Sequence, residues 1–498
     1  MVFHDWARPA NQIVHRPPTG TDIAQFGSLT AAAAGQGWLL CGAQSVRGVR
    51  TRRLTCAAGP GGCLCSPAVL TLPRLPLIPD PLGRITVPRD LAAVTSVGAE
   101  APAEAAGLTE AQVKRIWAAG RNLYRTGMHP ALALCVRRNG EVVLDRAIGH
   151  ARGNGPRDRA GTPKVLATPE TPFCVFSTSK GITALVIHML AERGFFDIHD
   201  RVVDYLPEYG ANGKQDTTIA HILAHRAGIP WLPRELANLD SLTDMDAALE
   251  VICASRPFAR PGTRLAYHAI SGGIVLGEIV RRVTGRSIRE VLAAEILDPL
   301  GFRWGNYGVA PEDVEQVALS YATGPRLLPP VSQLVGHALS APIETVVEFS
   351  NDPRFLTSII PSATIVSTAN ELSRFFEIFR CGGTLDGHRV MAPETLRYAL
   401  TEQSRLELDL TLVIPVRFSY GLMLGAKVVS LYGLDTDLAF GHLGLINIVG
   451  WADPERGISA ALLTSGKAIL YPELRRFYAV MATIAAQTPK LAPAERPF

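Results

Sequence analysis

The stretch Val175–Gly194, "VFSTSKGITALVIHMLAERG", decides how the rest of the chain is read. After Lys180, only Thr183, His188, Glu192 and Arg193 are polar before Gly194. So narrow a polar stripe predicts a helix buried on most sides rather than one lying on the surface. Gly194 stands where a helix C′ stop belongs, and Ser177 where an N-cap belongs. A lysine in the first turn of such a helix needs a reason. Its charge is costly to bury unless paired or used, and the positive end of the helix dipole disfavours the ammonium further. Ser177 and Lys180 are three apart, which brings both side chains onto one face within one turn. A serine hydroxyl is a weak nucleophile until a base takes its proton, and a desolvated lysine amine can be that base. Lys180 is the only lysine in the sequence with a serine three positions before it. Taken alone, the pair also fits a capping serine followed by a lysine whose stem snorkels.

Composition sets the bounds. The chain has 498 residues, 47% of them hydrophobic, and a formal net charge of +4. That length allows a large core and more than one structural unit. There is no basic block, aromatic ladder or zinc-finger spacing, so nucleic acid is not an expected partner. No uninterrupted apolar run reaches membrane-spanning length, and no transmembrane helix is expected. The run "SLTAAAAGQGWLLCGA" is interrupted by Gly-Gln-Gly and lacks a basic residue close before it, so it does not read as a signal peptide, and a cytoplasmic location is expected. The eight cysteines are scattered, and Cys63 and Cys65 lack a second pair or a nearby histidine. A reduced compartment and neither metal nor cofactor follow as expectations.

The chain divides unevenly. Residues 1–105 are rich in Gly, Pro and Ala without sustained period, and are expected to be a disordered segment. Order is expected from about residue 106 to 490. Thr109 and Gln112 make a capping box ahead of a helix whose buried face is Val113, Ile116, Trp117 and Tyr124. Asn139-Gly140 sits between two β-favouring runs and predicts a hairpin. From Pro172 to about Phe376 the pattern is mainly helical, with an insert at about 200–345, and Ser287 and Glu290 cap one of its helices. "DLAFGHLG", "INIVGWADPERG" and "ISAALLTSG" then alternate as strands before a closing helix in "YPELRRFYAVMATIAAQ". These elements together predict an α+β fold, an antiparallel sheet flanked by helices and joined to an all-α lobe.

The order "FSTSK", "HILAHRAGIP", "RPGTRLAYHA", "LDPLGF", "IVSTANELSRFF", "FSYGLMLG" and "FGHLG" resembles the serine β-lactamase and penicillin-binding-protein superfamily, nearest its class C-like esterases. The resemblance runs from about Leu108 to Gln487. It implies that Ser177 is the nucleophile and that Lys180 is its lysine partner. It also implies that Tyr267 of "YHA" is the tyrosine of a Tyr-x-Asn motif, sharing the acid–base work. His442-Leu443-Gly444 takes the place of a Lys/His-Thr-Gly triplet. The backbone N–H groups of Ser177 and Leu445 then correspond to the oxyanion hole. Two departures matter. Ala269 replaces the Asn that binds the amide side chain of a β-lactam or peptide, and His442 replaces the usual lysine that attracts a substrate carboxylate. With Leu443 in place of Thr, both point to uncharged esters.

Other signals weigh less. His221 and His225 are four apart and could face a metal, but no following Glu or third ligand accompanies them. There is no Gly-x-Ser-x-Gly, so an α/β-hydrolase is unsupported. Ser465-Gly466-Lys467 reads as a hairpin end. The function expected is a serine carboxylesterase that works through an acyl-enzyme on a small-molecule ester, with His442, Gly444 and Ala269 around the substrate. A β-lactamase, a D-amino-acid peptidase or an acyltransferase of the same fold stays open, as does a binding or scaffold protein that retains the fold.

Overall fold

The computed structural model describes residues 80–159 and 161–496. The chain divides into the units Met1–Leu72 and Pro73–Phe498, and only the second falls among the described residues. Its centre is an antiparallel sheet of strands β1 (Thr95–Val97), β2 (Ala131–Arg138), β3 (Glu141–Arg152), β4 (Met423–Leu424), β5 (Phe440–Gly444), β6 (Ile448–Asp453) and β7 (Ile458–Thr464), in the spatial order β1-β3-β2-β7-β6-β5-β4. Asn139 and Gly140 turn β2 into β3 with φ of 51° and 89°, as a tight hairpin with the strand's twist requires.

Both faces of the sheet are covered, so its central strands are apolar nearly throughout. Along β2, Ala131, Ala133 and Cys135 face one core, while Leu132, Leu134 and Val136 face the other. Helices α1 (Glu110–Tyr124) and α5 (Arg475–Gln487) close the second face, burying Ile116, Trp117, Val480 and Ile484 there. Thr109 and Gln112 form the expected capping box of α1. Helix α4 (Ala369–Arg380) lies on the first face, so close that a side chain at Gly450 of β6 would run into the Phe376 ring.

The quoted helix is α2 (Ser179–Glu192), and every residue from Ser179 to Leu190 is buried. It is held between the first face of the sheet and the helical lobe, which includes α3 (Ser271–Thr284). The lobe carries the expected Ser287–Glu290 cap, and a small sheet of Phe173–Cys174, Ile365–Ser367 and Asn306–Tyr307 that the helical pattern did not announce.

Structure also begins earlier than expected. Residues 80–105, read above as the end of a disordered segment, supply β1, paired with β3 at Thr95–Ile148, Ser96–Ala147 and Val97–Arg146. Ile85, Leu91 and Val94 are buried in the core under α1. Glu100 receives two bonds from the Arg146 guanidinium, at 2.7 and 2.6 Å, and one from the Asp145 amide. The rest of that reading, residues 1–79, lies outside the described residues. No helix among the described residues is long and apolar enough to cross a membrane.

Candidate active site

Ser177 does not cap α2. It lies in a single 3₁₀ turn, Phe176–Thr178, ahead of the helix, and Thr178 takes the cap position without a side-chain capping bond. Phe176 has φ of 49°, a conformation that costs an aromatic residue energy and must be held by its surroundings. The holding contacts come from the end of β5. A side chain at Gly444 would run into the Val175 carbonyl, so only glycine lets the strand close on this turn. Thr178 Oγ1 donates to the His442 carbonyl at 3.3 Å. Thus Ser177, half-buried, is left reachable from outside.

Lys180 is buried and its Nζ lies 3.1 Å from Ser177 Oγ. It also donates to the carbonyls of Ala269, at 2.7 Å, and Ser362, at 3.1 Å. No carboxylate accompanies it, and burial holds its pKa well below the ordinary lysine value. A neutral amine has two hydrogens and one lone pair. With both hydrogens on carbonyls, the lone pair is directed at the serine hydroxyl, the arrangement a general base needs.

Tyr267 completes a triangle. Its phenol faces the Ser177 side chain, and burial raises its pKa above the ordinary phenol value, Ser177 lowering it only in part. Lys180 Nζ sits 4.9 Å over the Tyr267 ring. Ala269 follows on the same loop and offers its carbonyl to Lys180 where its side chain offers no amide. At β5, His442 Nδ1 donates to the Leu443 carbonyl at 2.8 Å, leaving Nε2 as an acceptor, buried and without a hydrogen-bond partner. Burial first, and Lys180 second, lower the His442 pKa to about 3. An exposed histidine in the lysine's place would carry part of a positive charge near neutral pH, and burial removes that charge. Leu445, with φ of 24°, opens the turn after β5 and lines the same cleft as Ser177.

The remaining candidates separate. His221 Nδ1 accepts the Thr218 amide in a helix cap, and His225 Nδ1 accepts the His268 amide, so each imidazole of the i, i+4 pair has its own backbone partner. Three contributors were missed. Ser362 supplies a carbonyl, which no sequence pattern marks. Asp409, fully buried, receives the amides of Tyr267, Thr411 and Leu412 on Oδ1. Lys467 follows β7 as the hairpin-end reading placed it, yet is buried with Nζ 4.8 Å over the Phe176 ring.

Comparison with known proteins bears on the fold that carries this geometry. The family model described as Beta-lactamase matches residues 121–481. The chain is 30% identical over 349 residues to Esterase/beta-lactamase LipL of Mycobacterium tuberculosis, covering 66% of this chain and 76% of that protein. Among solved structures, a penicillin-binding protein homologue from Caulobacter crescentus superposes with a TM-score of 0.65 at 27% identity, over 76% of this chain and 99% of that one. A family VIII carboxylesterase does so with a TM-score of 0.64 at 26% identity, over 75% and 98%.

Proposed function

Since the chain belongs to the Beta-lactamase family, and is a hydrolase of that fold, we propose that it cleaves carboxylic esters through an acyl-enzyme on Ser177. The observation that carries this reading is the Lys180 amine, stripped of water, tied to two carbonyls and aimed at Ser177 Oγ. Lys180 takes the hydroxyl proton as Oγ attacks the ester carbonyl. The tetrahedral oxyanion rests on the N–H groups of Ser177 and Leu445. Tyr267, beside the same hydroxyl, passes a proton to the leaving alkoxide, so the alcohol departs neutral. Water then enters from the side the alcohol left and attacks the acyl carbon, giving one proton to the Tyr267 phenolate, while Lys180 returns its proton to Ser177 Oγ as the acid is released.

Ester rather than β-lactam chemistry is supported by the same residues. Ala269 has no amide for an acylamino side chain, and a neutral His442 does not attract a carboxylate. The acyl side is apolar: a cavity of about 100 Å³ opens beside Ser177, with Leu236, Leu242, Leu339, Val346, Phe349 and Phe355 among its walls. Ser177 and Leu445 border it, while Lys180 and Tyr267 do not, so the leaving alcohol, which needs Tyr267, lies on the other side. An apolar cavity of about 150 Å³ holds a six-carbon ring, and this one suits an acyl chain of a few carbons.

The test is labelling with a fluorophosphonate followed by a panel of p-nitrophenyl esters and nitrocefin. The adduct is expected on Ser177, Ser177→Ala abolishes turnover, and butyrate is cleaved far better than nitrocefin. An adduct on Ser179 would move the nucleophile, and nitrocefin turnover equal to butyrate would replace the esterase by a β-lactamase.

A further inference from the structure

We propose that His225 is a positioning residue for Tyr267, clamping the backbone on both sides of it and packing its ring against the phenol. The proposal rests on the ester hydrolase reading, in which Tyr267 moves protons at Ser177. Three consecutive amides are anchored here. The Ala266 N–H donates to the His225 carbonyl at 3.1 Å. The Tyr267 N–H donates to Asp409 Oδ1 at 3.1 Å. The His268 N–H donates to His225 Nδ1 at 3.2 Å. In extended backbone, successive amides point to opposite sides, so residues 266 and 268 reach one partner and residue 267 the other. One histidine therefore holds two amides and one aspartate the third, leaving the Tyr267 backbone no freedom along its length.

The side chain is fixed from the same direction. The His225 and Tyr267 rings lie 4.6 Å apart between centroids, and Phe418 lies 4.8 Å from His225. His225 has φ of 57°, in the left-handed region that costs a non-glycine residue energy and that Asn, Asp and His enter most readily. That conformation ends the helix Ile219–Leu223, with the His225 N–H donating to the Ile222 carbonyl at 3.1 Å and the Arg226 N–H to the His221 carbonyl at 2.7 Å. The helix end needs no acceptor at Nδ1, and the clamp does. Because Nδ1 accepts an amide, the ring must be neutral with its proton on Nε2, and burial, with His268, Lys180 and His442 near, holds its pKa well below the ordinary imidazole value. A misplacement of about 1 Å at a reacting group costs on the order of a hundredfold in rate.

The experiment compares the full-length wild type with His225→Phe and His225→Asn on the ester it cleaves best. Active sites are counted with fluorophosphonate, and kcat, KM and Tm are measured for each. His225→Phe keeps a flat ring but loses the acceptor, and its kcat per labelled site is expected to fall tenfold to a hundredfold while KM moves less than threefold. His225→Asn places an amide oxygen near the lost nitrogen and tolerates the positive φ, so its kcat is expected within threefold of wild type. The clamp is overturned if His225→Phe keeps kcat per labelled site within twofold, or if a folded His225→Asn falls as far as His225→Phe. Should His225→Phe not fold, His225→Asn decides alone: kcat within threefold supports the clamp, and a folded protein with kcat down more than tenfold overturns it. Wild-type labelling and turnover come first. Their absence sinks the ester reading itself, whereas normal turnover in His225→Phe sinks only the clamp.

Discussion

Lys180 is where sequence and structure meet most closely. The i, i+3 spacing with Ser177 was legible because helix geometry alone puts the two side chains together. The cap reading of Ser177 was not sound, because a lone 3₁₀ turn and the left-handed Phe176 shift the nucleophile out of the helix. The charge of His442 was also beyond the sequence, since what neutralises it is burial by residues distant in the chain. A sharp expectation follows for Lys180. Arginine keeps a cation but cannot offer a neutral nitrogen, so Lys180→Arg is expected to lower kcat/KM on the order of a hundredfold or more. The wild type should lose activity as pH falls through the depressed Lys180 pKa, because protonation fills the lone pair that faces Ser177. That acid limb should vanish from the residual activity of Lys180→Arg. Near-full activity with an unchanged profile would pass the base role to Tyr267.

At the scale of elements, long periodic segments were readable and short ones were not. The strands around "FGHLG", "INIVGWAD" and "ISAALLT" run five to seven residues and lie at β5, β6 and β7. β1 has only three residues, half-buried or exposed, and exists because the edge of β3 is there to receive it. A segment folded by its partner carries no period of its own, which is why residues 80–105 read as unstructured. The consequence is testable by shortening the chain. A protein beginning at Ala106 loses β1, the buried Ile85, Leu91 and Val94, and the Glu100–Arg146 pair. Each buried aliphatic side chain is worth about 1.5–3 kcal/mol, so the shortened protein is expected to melt on the order of 10 °C lower than the full chain. Equal melting temperatures would show that this edge of the sheet adds nothing to stability.

At the scale of the whole molecule, three lysines among the described residues are buried without a carboxylate, Lys180, Lys214 and Lys467, and the first and last of them contact the nucleophile turn. Lys180 is used by the proposed chemistry. Lys467 donates only to the Thr464 carbonyl, at 2.7 Å, besides lying over Phe176, and burial lowers its pKa to about 7. The unfolded chain holds that proton up to about pH 10.4. Between these values the unfolded state binds more protons than the folded one, so stability must rise with pH. Below about pH 7 both states are protonated and the dependence flattens. Lys467→Met keeps the stem's bulk and removes the charge. It forfeits one hydrogen bond to a charged group, about 1.5–3 kcal/mol, against a proton-linked cost of about 4 kcal/mol for three pKa units. The variant is therefore expected to be more stable than wild type at pH 7, by on the order of 1–2 kcal/mol. The sign should reverse towards pH 10, where wild type has regained its deficit. Urea unfolding at pH 7 and pH 10 measures both differences. A gap that stays the same at the two pH values would mean that Lys467 keeps its proton in the folded protein, and that the ammonium over Phe176 is a permanent brace for the strained turn that presents Ser177.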